Sequence, residues 1–184
     1  MKTAVKTTIL VLISSSAMGF AQTPKQLGAW SVYPANGNHT SNHVVLLQST
    51  SEEQYKNAHG DPVQAKLDVI CTKGKLSAIA LEANVATDKS AMSFDGPVNT
   101  TRISFSADGQ RNQSENWAVL DGGRTLSPYA EVSQGKLMRR WVQRISSTQK
   151  MVFQLDGKAA ESQAQPSFAT GKLSEALASV GCRY

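Results

Sequence analysis

"VQAKLDVICTKGKLSAIALEA" (residues 63–83) decides how the chain folds. Ala65, Leu67, Val69 and Cys71 share one parity; Gln64, Lys66 and Asp68 share the other. Alternation with a period of two marks a strand with one face buried. "TKGK" (72–75) turns the chain, and 76–83 returns as a second strand, so the stretch predicts an antiparallel hairpin.

The flanks read in the same way. Trp30-Ser-Val-Tyr33 is a short alternation ended by Pro34, "ANGNHTSN" (35–42) is turn chemistry, and "HVVLLQS" (43–49) is a strand-length apolar run. "SEEQYKNAHGDP" (51–62) and "TDKSAMSFDGP" (87–97) read as polar loops. "VNTTRISFSADG" (98–109) is rich in β-branched residues and closes at Asp108-Gly109, and "ENWAVLDGG" (115–123) supplies its partner strand and a turn. The period changes at Ser133, a candidate N-cap: Leu137, Trp141 and Ile145 stand four apart, with Met138 and Val142 beside them. "KMVFQLDG" (150–157) is again a strand, and "KAAESQAQP" (158–166) is a polar connection. Leu173, Ala176, Leu177 and Val180 form a second short helix that stops at Gly181. Strands in hairpins followed by helix, strand and helix predict an α+β fold. Its antiparallel sheet, sandwich-like or a partly open barrel, is covered by two short helices.

"MKTAVKTTILVLISSSAMGFAQ" (1–22) has Lys2 and Lys6, then an apolar run from Ile9 to Ile13, then small residues to Ala21. This is the pattern of a cleaved secretory signal peptide, 1–21, and the run falls far short of the ~20 residues that span a bilayer. The expected product is a periplasmic chain of about 160 residues, a single domain over 22–184 with no membrane span. The formal charge falls from +5 to about +3 when Lys2 and Lys6 leave, a balance that calls for no nucleic acid. The two cysteines, Cys71 and Cys182, both lie in the exported part, where an even count reads as a disulfide. Such a bridge closes a loop of ~110 residues, for which chain entropy gives an upper figure of about 4–5 kcal/mol.

"LGAWSV" (27–32), "KLDVICTKGKLSAIAL" (66–81), "VNTTRISFSADGQRNQSENWAV" (98–119), "LMRRWVQRISSTQKMVFQL" (137–155) and "PSFATGKLSEALASVGC" (166–182) occur in an order that resembles the VasI/TagO family of periplasmic proteins associated with type VI secretion. The shared features are a Gly-x-Trp opening strand, a Leu-x-Val-x-Cys hairpin, an Arg-bearing strand leading to a Trp, and a closing helix, strand and Cys. The resemblance implies an accessory role beside an envelope or secretion-system protein, and it brings no catalytic residues.

The residues themselves offer little chemistry. His39 and His43 stand four apart but in turn sequence, with no Cys or carboxylate close by, and His59 could join them only through the fold; no metal site is expected. No Gly-x-Ser-x-Gly stretch marks a nucleophile, Glu52-Glu53 reads as a solvated run, and "DGGR" (121–124) as a tight turn. Asn38, Asn99 and Asn112 head Asn-x-Ser/Thr triplets that are expected to stay bare. Lys136, Arg139, Arg140 and Arg144 lie on the polar side of the first helix. They are either a solvated face or a patch that meets an acidic partner or an anionic cell-wall polymer. Arg102, mid-strand, is either a paired structural charge or a recognition residue.

The expectation is a non-enzymatic periplasmic binding or accessory protein without a cofactor. The alternative is a periplasmic inhibitor or immunity protein against a cell-wall-degrading enzyme. N-terminal sequencing of the exported protein is expected to begin at Gln22; a retained Lys2 or a membrane-locked pool would refute the signal peptide.

Overall fold

The computed structural model describes residues 23–34, 43–56, 61–83, 99–129, 133–154 and 165–184. The signal-peptide reading, the 35–42 turn, the 87–97 loop and nearly all of the 158–166 connection lie outside these residues. In chain order the strands are β1 (Lys25–Leu27), β2 (Trp30–Pro34), β3 (Val44–Thr50), β4 (Tyr55–Lys56), β5 (Pro62–Val63), β6 (Lys66–Thr72), β7 (Lys75–Glu82), β8 (Thr100–Ala107), β9 (Gln113–Leu120), β10 (Thr125–Pro128), β11 (Lys150–Gln154) and β12 (Ser167–Ala169). Helix α1 (Gln134–Ser146) follows β10 and α2 (Leu173–Ser179) follows β12. Ten strands form one sheet in the order β1-β2-β3-β6-β7-β10-β9-β8-β11-β12, and every strand pair in it is antiparallel. The expected α+β class, with its antiparallel sheet and two helices, is what the chain adopts.

The opening hairpin is β6 and β7. Lys73 and Gly74 both have positive φ, 53° and 70°, the two-residue turn whose twist matches that of the strands it joins. The register slips between Ile70 and Cys71: Cys71 faces Leu76, but Ile70 faces Ala78, which leaves Ser77 as the extra residue of a bulge. Ser77 Oγ donates to the Ile70 carbonyl at 2.9 Å and so occupies a polar group at the break. The bulge exchanges the inward parity of β7, so Leu76 packs on the core on one side of it and Ile79 and Leu81 are buried on the other.

Two strands that the sequence did not announce complete the sheet. β10 pairs with β7 on one edge and β9 on the other, joining the two halves, and all four of its residues are buried. β12 pairs with β11 at one end of the sheet and approaches β3 near the other. Ser49 Oγ donates to the Ala169 carbonyl at 2.9 Å and the Glu52 amide donates to the Ser167 carbonyl at 2.9 Å. The sheet is therefore curled, a partly open barrel whose concave side holds the core. The polar stretch 51–62, expected as loop, carries β4 and β5, a separate two-stranded ribbon.

The core is aromatic. Trp117 and Trp141 meet edge to face at 5.0 Å, Phe105 meets Trp141 at 4.7 Å, and Phe153 links Trp117 to Phe168. Such pairs add about 0.5–1.5 kcal/mol beyond the area they bury. Helix α1 contributes Met138, Trp141, Val142 and Ile145 to the buried side, as its apolar stripe predicts. Ser133 does occupy its N-cap position, but it sits in the left-handed region with φ 68° and makes no side-chain cap bond. The expected capping therefore does not occur, because capping geometry needs extended backbone at that residue.

Helix α2 is seven residues long, too short to persist alone. Leu173, Ala176 and Leu177 are buried against the core, and Val180 packs at its edge. Its end is a Schellman closure: Gly181, φ 67°, donates to the Ala178 carbonyl at 3.1 Å, and Cys182 to the Leu177 carbonyl at 3.0 Å. Cys182 is disulfide-bonded to Cys71, with Cα atoms 6.0 Å apart. Immediately beyond it, Arg183 bridges Lys75 in parallel, accepting from the Leu76 amide and donating to the Gly74 carbonyl, both at 2.9 Å. Cys71→Ala is expected to lower stability by about 2–5 kcal/mol. Removal of Arg183 and Tyr184 should cost much less, since it removes only two exposed main-chain bonds worth about 1 kcal/mol each. Melting curves with and without reductant check this; identical curves would show that the bridge does not hold α2.

Candidate functional site

The disulfide, the hairpin turn and the first turns of α1 meet at one place. Lys73 to Ser77, Ser133 to Lys136, Met138 and Arg139, and the tail Gly181, Arg183 and Tyr184 line an open groove of about 910 Å³. Its walls come from three parts of the chain: the bridge holds the tail to the hairpin, and α1 packs against β7. The approach is close: a Cβ on Gly74 would stand 3.2 Å from the Gly181 carbonyl, and both glycines hold positive φ. The floor is apolar. Met138 is buried, Leu76 half-buried, and Tyr184, at 41%, is the large hydrophobic side chain left exposed among the described residues.

The rim is positive. Lys73, Lys75, Lys136, Arg139 and Arg183 all line the groove and all are exposed, and no acidic side chain joins them there among the described residues. None of the five makes an ion pair with a described residue. The mouth of the groove includes the start of α1, whose first turn contains no acidic residue. Basic side chains at the positive end of a helix dipole are disfavoured, so this arrangement is one that an anion would relieve. Five of the chain's 19 basic residues stand here. Like charges gathered on one concave surface raise the potential there.

The four cations of α1 divide between two tasks. Lys136 and Arg139 face the groove. Arg140 and Arg144 turn to β9, where Glu115 Oε1 lies 3.2 Å from each guanidinium. Glu115 Oε2 also accepts from Trp141 Nε1 at 3.0 Å, and Arg144 Nη2 donates to Gln113 Oε1 at 3.3 Å. The Arg144 guanidinium stands 4.8 Å from the centre of the Phe105 ring and 4.6 Å from that of Trp141. Arg144 is therefore a clasp between helix and sheet, and Arg140 is an exposed partner of the same carboxylate. Arg102 is exposed on β8 opposite Asn116, away from the groove. Sequence reasoning missed Lys73, Lys75 and Arg183. The signal was the "KGK" turn beside a cysteine whose partner is followed by Arg, but only the bridge brings them together.

Two carboxylate sites lie elsewhere. Glu52 and Glu53, expected as a solvated run, are exposed and also fasten the curled sheet. Ser167 donates its amide to Glu53 Oε2 at 2.8 Å, its Oγ lies 2.6 Å from Glu53 Oε1, and Lys150 Nζ meets Glu52 Oε2 at 2.6 Å. The Lys150 bond holds the Glu52 carboxyl below its usual range, with Ser167 assisting. Burial raises that of Glu53, but the hydrogen bonds from Ser167 outweigh it and the net shift is downward. Burial pushes the Tyr55 hydroxyl up, and the charge of Glu53 adds to this. Asp68, on the face of β6 opposite Cys71, is almost wholly buried and accepts from Gln48 Nε2 at 2.9 Å. Burial, with the charge of Glu82 added, pushes its carboxyl up to about 7, against the pull of Gln48 and Lys66.

Among the described residues no group of three or more His, Cys, Asp or Glu is placed to hold a metal ion. His43 is exposed, and His39 and His59 lie outside those residues. No described helix is long and apolar enough to cross a membrane. Compared with known proteins, the chain matches no family model, no curated protein and no solved structure.

Asp68 gives a pH prediction. Between its ordinary value near 4 and its folded value of about 7, the folded protein keeps a proton that the unfolded chain has released. Its contribution to stability therefore falls as pH rises through that window and is level above it. Asp68→Asn is expected to melt with wild type near pH 4 and to be more stable by about 2–4 kcal/mol at pH 8, by the usual conversion of a pKa shift to free energy. A difference that does not change between pH 4 and 8 would mean that Asp68 titrates normally.

Proposed function

We propose that this chain is an exported, non-enzymatic binding or accessory protein of the type VI secretion-associated kind it resembles, and that it meets an acidic partner at the basic groove. The observation that carries the reading is the cluster of five exposed cations, none paired with a described residue, over an apolar floor. A charged concave site of this kind steers an oppositely charged partner and sets the orientation of docking. The disulfide accords with an oxidising compartment. The alternative reading, an inhibitor of a wall-degrading enzyme, uses the same groove; its sign favours an acidic enzyme surface over a basic one.

Photo-crosslinking in cells tests the reading. A crosslinking residue at Lys75 or Lys136 is expected to give one discrete protein adduct, whose yield falls when irradiation is done at high salt. The same residue at Arg102 should give none. Absence of adducts at the groove, or turnover of cell-wall fragments by the purified protein, would overturn the proposal.

A further inference from the structure

We infer that the occupant of the groove is an extended acidic peptide segment that also carries a large apolar side chain; this rests on the binding reading above and names the chemistry of its partner. The cations alone would suit any polyanion. The floor narrows the choice. Tyr184 is the exposed large hydrophobic residue among those described, and it lines the groove with Leu76 and Met138. A phosphate or uronate polymer has nothing to bury there. A peptide that alternates Asp or Glu with Leu or Phe does, because successive side chains of an extended segment point to opposite sides.

The shape agrees. One wall is strand, the start of β7 with Arg183 bridged to Lys75, and the facing wall is the first two turns of α1. Walls formed by a strand and a helix run lengthwise and suit a linear segment. Its volume, about 910 Å³, is at the upper end of the ~300–1,000 Å³ of small-ligand sites, enough for several residues. A membrane surface would have to enter this concave site, whereas a peptide can thread it.

Fluorescence anisotropy at low salt decides the matter, using oxidised mature protein and labelled ten-residue peptides. One peptide carries Glu, Asp, Leu and Phe, a second has Ser for Leu and Phe, and a third has Gln and Asn for the acids; polyphosphate serves as competitor. The first should bind, and the second should bind at least threefold more weakly. The third should not bind, and polyphosphate should compete poorly. Lys75→Glu with Arg139→Glu should weaken the first peptide tenfold or more. Arg102→Glu with Arg111→Glu, the same change of net charge outside the groove, should weaken it less than twofold. Tyr184→Ser should act on the first peptide and leave the second unchanged. Lys75→Ala with Arg139→Ala provides a milder pair, and thiol titration confirms that the bridge is intact in each variant. Equal binding of the first two peptides, with strong competition by polyphosphate, would overturn the peptide inference and leave the binding reading standing. Equal losses in both reversal variants, or no binding of any anion, would overturn both.

Discussion

The Cys71–Cys182 bridge is the constraint on which the rest of this structure depends. A seven-residue helix cannot hold itself, and the residues after it would otherwise be a loose end. The bridge sets Cys182 beside the hairpin, the Schellman closure places Gly181 against Gly74, and Arg183 then pairs with Lys75. Three separate parts of the chain become one wall system. The bulge at Ser77 belongs to the same arrangement. It lets Leu76 pack near the bridge while Ile79 and Leu81, three and five residues on, still face the core. Without it, one of these sets would face the wrong side of the sheet.

Helix α1 is held from the other direction. Glu115 receives Trp141, Arg140 and Arg144, and Arg144 also lies over the rings of Phe105 and Trp141. A carboxylate with three donors on one helix fixes both the rotation and the height of that helix against β9. That orientation is what turns Lys136 and Arg139 toward the hairpin. The two halves of the helix's polar face are thus unequal: its far half is engaged in packing, and its near half keeps its charge exposed.

Much of the fold could be read from residue order because its signals are local. Alternation in 65–71, the β-branched run in 98–109, the Lys73-Gly74 and Asp108-Gly109 turns, the stripe from Leu137 to Ile145 and the stop at Gly181 each depend on neighbours within a few residues. What was not legible depends on distant partners. β1, β10 and β12 are three or four residues long and exist only because longer strands pair with them. Glu52 and Glu53 are the solvent-exposed charges they look like, but their bonds to Ser167, 114 residues beyond Glu53, could not be read from their neighbours. The site shows the same division. Lys136 and Arg139 were recognisable as one side of a helix, whereas Lys73, Lys75 and Arg183 became part of it only through the bridge. Arg144, read with them as surface charge, is drawn off by two aromatic rings and Glu115.

The electrostatics of the groove bear on why it has this form. Five like charges near the positive end of a helix, with no acidic side chain among the described lining residues, do nothing for folding. Elsewhere the described chain does pair its charges where they meet: Lys66 with Glu82, Lys150 with Glu52, Arg140 and Arg144 with Glu115. Exposed pairs of this kind contribute only about 0–1 kcal/mol each, so leaving a few unmade costs a folded domain little. The same unpaired charges, set in a concave surface above apolar side chains, interact far more strongly with a ligand that excludes water from them than they would with one another across solvent. On the binding reading proposed above, the groove keeps charge that folding does not use, and an anionic partner would draw on it.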